Sequence, residues 1–119
     1  MSTPTKGRAA RRKGINGELE AIKILQANGW PLAERTQRGV AQERGDVANG
    51  PRGTYIEIRR REKLSVPASV REVVAAAKPG ELPLLIHRPS RCPWMVTLRL
   101  EDLLPHLLTD ELTRDLLDG

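Results

Sequence analysis

The chain has 119 residues, enough for one domain with a hydrophobic core, and its 20 lysines and arginines against 15 acids give a net charge of +5 that favours an anionic partner. A single cysteine, Cys92, excludes an internal disulfide and a cysteine-based zinc cluster, and no apolar stretch is long enough to span a membrane, so we expect an intracellular, cytoplasmic protein. Two tryptophans, one tyrosine and no phenylalanine argue against a single-strand-binding surface of stacked aromatic rings, so contacts to nucleic acid would be made mainly to the backbone.

A basic segment opens the chain. Residues 1–13 carry five cations and no acid and show no hydrophobic periodicity, which predicts a flexible basic arm. Its last two residues, Arg12 and Lys13, are candidates for contacts to phosphate groups. A terminus without a binding role is an equally good interpretation of this composition.

The first helical pattern follows the arm. Apolar residues recur at helical spacing from Leu19 to Leu25 behind Asn16, a suitable N-cap, and a glycine and a proline in residues 28–31 end the pattern. This predicts a helix of about three turns. Glu18 lies in its first turn, beside the apolar stripe, where a carboxylate suits the helix dipole even without another role.

Three short strand patterns come next. Residues 32–36 form the first and carry Arg35, and the polar loop after them carries Arg38; both arginines are candidate phosphate contacts. Residues 46–48 and 54–60 flank Asn-Gly-Pro-Arg-Gly, a sequence typical of a tight reversal. The last two patterns therefore predict a β-hairpin.

The predicted hairpin brings two carboxylates together. Its register pairs Val47 with Ile56 and places Asp46 opposite Glu57, with Cβ atoms about 5 Å apart. Like charges in this position are destabilising unless something compensates them, and a divalent cation would do so. Because Glu57 and Arg59 project from the same face of the second strand, an ordinary surface hairpin with Glu57 paired to an arginine is the alternative.

The remaining patterns complete an α/β domain. Residues 65–78 have a helical apolar stripe, residues 82–87 are nearly all apolar, as in an interior strand, and residues 94–100 alternate, as in a strand nearer an edge. We expect an α/β fold over residues 14–104, with a mixed central β-sheet flanked by helices.

A leucine-rich helical tail is predicted for residues 105–119. Pro105 is expected to break it, and Thr109 or Asp110 to cap a last short helix. Its leucines would pack on the core or on a second subunit.

The acidic residues resemble a known enzyme superfamily. Glu18 on the first helix, Gly45-Asp46 at the start of the hairpin and Glu57-Ile58-Arg59 on its second strand resemble the P-D-(D/E)-x-K nucleases. Within that superfamily the chain is most similar to archaeal-type Holliday junction resolvases and related small phage endonucleases. The resemblance implies a restriction-endonuclease-like α-β-β-β-α-β-β core.

Basic residues add to the resemblance, which covers residues 11–100. Arg12-Lys13-Gly14 is similar to the motif that opens those proteins, and Arg35 falls where they carry a strand arginine. The chain departs from them at Arg59, where the family has lysine. Arginine supplies positive charge and hydrogen bonds but stays protonated, so it cannot act as a base.

The resemblance implies a metal-dependent, structure-selective DNA endonuclease that resolves four-way junctions as a homodimer. Asp46 and Glu57, with the Ile58 carbonyl and Glu18, would hold Mg²⁺ or Mn²⁺, and Arg59 would provide a fixed cation. Basic residues would hold the DNA backbone, namely Arg12, Lys13, Arg35, Arg38, Arg60 and Arg61.

Two other functional classes remain open from the sequence. One is a nuclease fold that binds branched or duplex DNA with little or no cutting, which the Arg59 substitution favours. The other is a small RNA-binding protein, which the basic composition favours but which does not account for the three carboxylates. Binding that persists in chelator and without Asp46 would indicate the second.

Overall fold

The computed structural model describes residues 6–37 and 44–118, and its elements follow the predicted order. Along the chain these are α1 (Lys6–Ala27), β1 (Glu34–Arg35), β2 (Val47–Ala48), β3 (Thr54–Arg60), α2 (Val66–Ala76), β4 (Leu82–Arg88), β5 (Met95–Thr97) and α3 (Leu100–Asp118). The predicted α/β class is confirmed. In the described part of the chain, no helix combines the length and the apolar character needed to cross a membrane.

The main sheet is mixed, as predicted. Its strand order is β3-β4-β5, with β3 and β4 parallel from the Thr54–Leu82 pair to the Arg60–Arg88 pair, and with β5 antiparallel to β4. Helix α2 makes the crossover that a parallel pair requires. The apolar strand β4 is central and β5 lies at one edge, in agreement with the sequence patterns.

Each face of the sheet packs against a helix. Strand alternation sends successive side chains of β3 to opposite faces, so both faces are apolar at its centre. The side facing α1 consists of buried Ala21, Ile22, Ala33, Ile56, Ile58 and Ile86. The side facing α2 consists of buried Tyr55, Val73 and Leu85. Strand β3 is therefore held between two layers, which fixes the direction of its polar residues.

Helix α1 begins ten residues before its predicted N-cap, so the prediction for Asn16 is wrong. Residues 6–13, which were expected to form a flexible arm, make its first two turns, while residues 1–5 lie outside the described residues. Alanine, arginine and lysine, which make up most of this segment, are strong helix formers. These turns are exposed, so they lack the apolar stripe by which a buried helix is recognised in a sequence. Arg12 and Lys13 thus stand on a helix.

The predicted hairpin ladder between residues 46–48 and 54–60 is not present. Strand β2 instead pairs antiparallel with β1, matching Val47 with Arg35, and these two strands form a separate small sheet. The register that opposed Asp46 to Glu57 is therefore wrong. Strand β3 takes its ladder partner from β4 over seven residue pairs, a longer and more apolar pairing than the two-residue β2 offers.

The C-terminal helix α3 is continuous through Pro105, contrary to the predicted break. It begins at Leu100, so the proline falls in the second turn and removes one helical hydrogen bond. Thr109 Oγ1 donates to the Pro105 carbonyl at 2.9 Å, within the helix rather than as a cap of a new one. The leucines of α3 are mostly exposed, including Leu104 and Leu108.

Candidate metal and DNA-binding site

Asp46 is held against the outer edge of β3 by two hydrogen bonds. Its backbone N–H donates to the Ile56 carbonyl at 2.7 Å, and its Oδ2 accepts from the Ile58 N–H at 2.8 Å. The preceding residue, Gly45, has φ +75°, and a Cβ there would lie 2.6 Å from the Ile56 oxygen. Glycine is therefore needed for the chain to come this close to the strand.

Glu57, Asp46 and the Ile58 carbonyl converge on one cation, the Arg59 guanidinium. Arg59 Nη2 lies 2.5 Å from Glu57 Oε2, and Nη1 lies 3.5 Å from Asp46 Oδ2. Arg59 Nη1 also donates to the Ile58 carbonyl at 3.0 Å. The juxtaposition of the two carboxylates was predicted, but it arises from the edge contact of Asp46 rather than from a hairpin ladder.

The environment of Asp46 disfavours its negative charge. Burial is the main cause that raises its pKa from 3.8 to about 6; the charges of Glu57 and Glu18 act in the same direction, and the Ile58 N–H and Arg59 act in the opposite direction. Burial, with Glu57 nearby, also raises the pKa of Tyr55 to about 12. Its hydroxyl lies 3.4 Å from Glu57 Oε1. The carboxylates therefore occupy a site in which additional positive charge would be stabilising.

Glu18 comes from α1 and is paired with Arg35. Arg35 Nε lies 2.6 Å from Glu18 Oε2; the Glu18 side chain is mostly shielded from solvent, and that of Arg35 is more exposed. Arg35, a predicted phosphate contact, thus orients a predicted metal ligand. Glu18 acts on Asp46 through its charge, and no group of three or more histidine, cysteine or acidic side chains within residues 6–37 and 44–118 is arranged to hold a metal.

The oxygen atoms around Arg59 are of the kind that Mg²⁺ and Mn²⁺ prefer. Two carboxylates and a backbone carbonyl already surround a positive group at this position, and the raised pKa of Asp46 indicates that its charge is incompletely compensated. The donor set therefore fits a divalent cation, provided that the guanidinium moves aside. Arg59 and such an ion would compete for the same oxygen atoms.

A groove of about 610 Å³ lies between α1 and the end of β3, and Arg59 and Glu18 are part of its lining. Helix α1 can come this close to β3 because Gly17 has no side chain. A Cβ at this position would lie 2.5 Å from the Cβ of Arg60. The polar residues of the groove are predominantly cationic. They include Lys13, Glu18, Arg59, Arg60, Arg61 and Lys63.

Four of the predicted DNA-binding residues line this groove or the cavity beside it, namely Arg12, Lys13, Arg60 and Arg61. Arg35 lines neither. Arg12 and Lys13 line an adjacent cavity of about 320 Å³, which shares Arg60 with the groove. Arg61 is exposed on the groove wall. Arg38 lies outside the described residues.

Three polar residues near the groove were not predicted as site residues. Lys63 lies six residues beyond Glu57, roughly 20 Å along an extended strand, but β3 ends at Arg60, the chain turns, and Lys63 lines the groove. Glu62 and Ser90 form a hydrogen-bonded cluster beside it. Loop residues carry no periodic signal, so the pattern of the sequence could not have placed Ser90.

We compared the chain with protein-family models, curated proteins and solved structures, and none of them matches it. The resemblance to nucleases therefore rests on the short motifs of this chain and on the site that those residues form.

Proposed function

We propose that the protein is a metal-dependent endonuclease that acts on branched DNA, with the four-way junction as its principal substrate. The observation that carries this proposal is the convergence of Asp46, Glu57 and the Ile58 carbonyl on one cation, Arg59, which also lines a basic groove. We also propose that the β3-α2-β4 unit and α1 belong to a restriction-endonuclease-like core.

Asp46 and Glu57 would hold a Mg²⁺ or Mn²⁺ ion, with the Ile58 carbonyl as a third ligand and Glu18 acting directly or through water. When bound, the ion would supply Lewis-acid stabilisation of negative charge on the scissile phosphate. Hydrolysis forms a bond from water oxygen to phosphorus and breaks one phosphorus–oxygen ester bond, with a proton passing to the leaving oxygen. The hydrogen bond from Ile58 keeps the Asp46 carboxylate directed at the site throughout.

Arg59 would exchange partners on substrate binding. Its guanidinium is paired with the two carboxylates in the structure, and a phosphodiester in the groove offers it a new anionic partner. Since arginine stays protonated, its role would be to stabilise charge, and proton transfer would fall to water or another group.

The groove supports a substrate held mainly by its backbone. Lys13, Arg60 and Arg61 face the groove, and such contacts recognise phosphates without reading bases. Selectivity for a junction would then come from the spacing of two active sites. A four-way junction has pseudo-twofold symmetry and needs two cuts, so we propose that the active form is a homodimer.

The second candidate function is binding of branched or duplex DNA without efficient cutting. The specific observation in its favour is that Arg59 contacts all three groups proposed to hold the metal. If the guanidinium never leaves, no divalent ion can enter, and the groove would still bind phosphates.

Cleavage of a labelled immobile junction, with a matched linear duplex, distinguishes the two functions. The wild type, Asp46→Ala, Arg59→Lys and the control Glu72→Gln, on the exposed part of α2, would be assayed in Mg²⁺ and in Mn²⁺. The proposal predicts paired symmetric nicks in the junction, which Asp46→Ala abolishes and Glu72→Gln preserves.

Other outcomes have separate meanings. Binding without cutting by the wild type, together with cutting by Arg59→Lys, would support the binding function and identify Arg59 as the residue that blocks turnover. If no variant cuts and Asp46→Ala binds unchanged in chelator, the metal site is refuted.

A further inference from the structure

A cluster beside the groove directs several donors at a single carboxylate. Glu62 accepts hydrogen bonds from Lys13 Nζ at 3.2 Å and from Arg60 Nη1 at 3.0 Å. The Ser90 N–H lies 3.1 Å from Oε1 and 3.0 Å from Oε2, and the Ser90 hydroxyl also donates to Oε1. The donors come from three separate elements: α1, the end of β3 and the turn after β4.

This donor set is typical of a site for a phosphate group. Two cationic side chains, a backbone N–H and a hydroxyl are the groups that proteins use to bind phosphate oxygens, and here they are already directed at one anion. Arg60 Nη2 additionally donates to Ser90 Oγ at 3.1 Å, which holds two of the donors in place. The hydrogen bonds from Ser90, with those from Arg60 and Lys13, lower the pKa of Glu62 to about 2.

Glu62, which accepts these hydrogen bonds, is a side chain that a ligand can displace. The Glu62 side chain is 49% exposed, and it lies just beyond the end of β3, in a turn rather than in a strand or helix. Exposed ion pairs contribute little to stability, so rotation of Glu62 out of the cluster costs little when a phosphate takes its place among the donors. The donors themselves are fixed by α1 and by the paired strands β3 and β4.

The cluster lies along the groove that contains Arg59. Lys13, Arg60 and Glu62 line the same groove as Glu18, and the neighbouring cavity adds Arg12. A backbone that enters the metal site along this groove would therefore present a neighbouring phosphate to the Ser90 turn.

We propose that Lys13, Arg60 and Ser90 form a subsite for a DNA backbone phosphate, and that Glu62 is its internal occupant, which DNA displaces. The identity of the ligand as DNA rests on the proposed function, whereas the affinity for phosphate does not require cleavage. Glu62 thus competes with every phosphodiester for these donors and weakens its binding.

Binding of a short labelled duplex by the full chain, in EDTA and at fixed ionic strength, tests the proposal. Glu62→Ala should tighten binding about three- to tenfold, as expected for one additional phosphate contact, and Glu62→Gln, which keeps the size of the side chain, should tighten it less. Glu72→Ala makes the same change in net charge at a different exposed position. It should change the affinity by less than about twofold, because salt screens the interaction of an exposed charge with DNA that does not contact it. Ser90→Ala leaves the net charge unchanged and should reduce the gain produced by Glu62→Ala.

A second measurement follows the Ser90 amide resonance during titration with inorganic phosphate. The resonance should shift in Glu62→Ala at lower phosphate concentration than in the wild type. Equal gains from Glu62→Ala and Glu72→Ala, or a Ser90 amide that phosphate does not shift in Glu62→Ala, would overturn the subsite.

The outcomes separate this proposal from the endonuclease. A phosphate-dependent Ser90 shift without tighter duplex binding would overturn the assignment to DNA. Tighter duplex binding by Glu62→Ala, in a protein that cuts no junction, would support the subsite and count against the endonuclease.

Discussion

Arg59 and Glu57 lie two residues apart on one face of β3, and Arg59 Nη2 is 2.5 Å from Glu57 Oε2. The other nitrogen of the same guanidinium is 3.5 Å from Asp46 Oδ2, so one arginine is shared by both carboxylates. Because these three side chains are mostly shielded from solvent, the charge at this position affects the stability of the fold as well as any chemistry.

Arg59→Gln is expected to destabilise the protein in EDTA. Removal of the cation leaves two partly buried carboxylates unpaired, at a cost of about 1–3 kcal/mol in the free energy of unfolding. Since the guanidinium no longer competes for the carboxylate oxygens, Mn²⁺ should stabilise the variant more than the wild type. Chemical denaturation with and without Mn²⁺ measures both effects.

The control for this prediction is Arg114→Gln, which removes an exposed ion pair with Asp110 on α3. Its effect should be no more than about 0.5 kcal/mol and should not depend on Mn²⁺. An equal response of the wild type and Arg59→Gln to Mn²⁺ would show that Arg59 does not occupy a cation site.

Asp46→Asn is expected to stabilise the metal-free protein at neutral pH. The pKa of Asp46 is raised from 3.8 to about 6 in the folded state, so ionisation above that pKa disfavours folding. The advantage of the neutral Asn should be absent below about pH 4, grow as the pH rises toward 6 and level off near about 3 kcal/mol. The Asn carbonyl can still accept the hydrogen bond from Ile58.

Unfolding free energies of the wild type and Asp46→Asn, measured in EDTA across this pH range, test the prediction. Glu72→Gln, which changes an exposed acid of α2, serves as the matched control and should leave the pH dependence unchanged. A constant difference between the wild type and Asp46→Asn at all pH values would mean that Asp46 titrates normally.

The sequence predicted that Glu57 and Arg59 lie together for a physical reason, whereas it placed Asp46 beside Glu57 through a hairpin register that does not form. Alternation along β3 places Glu57 and Arg59 on one face, and a seven-residue strand with apolar neighbours is a strong local signal. The partner of β2 was not predictable in this way, because a two-residue strand has no period and its pairing with β1 is decided by tertiary contacts.

Helix α1 was predicted only in part. Its second half was found from its apolar stripe, but its first two turns face solvent, so only the helix propensity of residues 6–13 indicated them. Glu62 and Ser90 lie 28 positions apart in the sequence, and both are in turns. A local sequence pattern cannot predict a contact between two such residues. The metal, the DNA substrate and the homodimer remain predictions.

Gly45→Ala should destabilise the protein and disable the site, whereas Gly53→Ala should only destabilise it slightly. Both glycines have positive φ, +75° and +73°, so alanine is strained at either position by about 1 kcal/mol. Only at Gly45 would the new Cβ meet backbone, 2.6 Å from the Ile56 oxygen, while at Gly53 nothing lies within 4 Å. The additional clash would move Asp46 away from β3.

Urea denaturation and Mn²⁺ binding distinguish these two variants. Gly45→Ala should lose about 2–4 kcal/mol and weaken Mn²⁺ binding, whereas Gly53→Ala should bind Mn²⁺ as the wild type does. Equal losses of stability, with Mn²⁺ binding retained by both, would mean that the close approach of Gly45 to β3 does not position Asp46.

Gly17→Ala is expected to separate α1 from β3, and Gly14→Ala provides its control on the same helix. A Cβ at Gly17 would lie 2.5 Å from the Cβ and 3.1 Å from the Cγ of Arg60, atoms close to the backbone that cannot move without the strand. The clash should cost about 1–3 kcal/mol, partly offset by the better helix propensity of alanine. At Gly14 nothing lies within 4 Å, so alanine there should stabilise by about 0.5–1 kcal/mol.

The same pair of variants tests whether the packing of α1 on β3 forms the groove. Displacement of α1 would pull Lys13 away from Arg60 and Glu62, so Gly17→Ala should also bind duplex DNA more weakly in EDTA than the wild type does. Urea denaturation midpoints and duplex binding at fixed ionic strength give both readouts. If the two alanine variants are stabilised equally, α1 tolerates a side chain against Arg60, and the close contact at Gly17 does not determine the width of the groove.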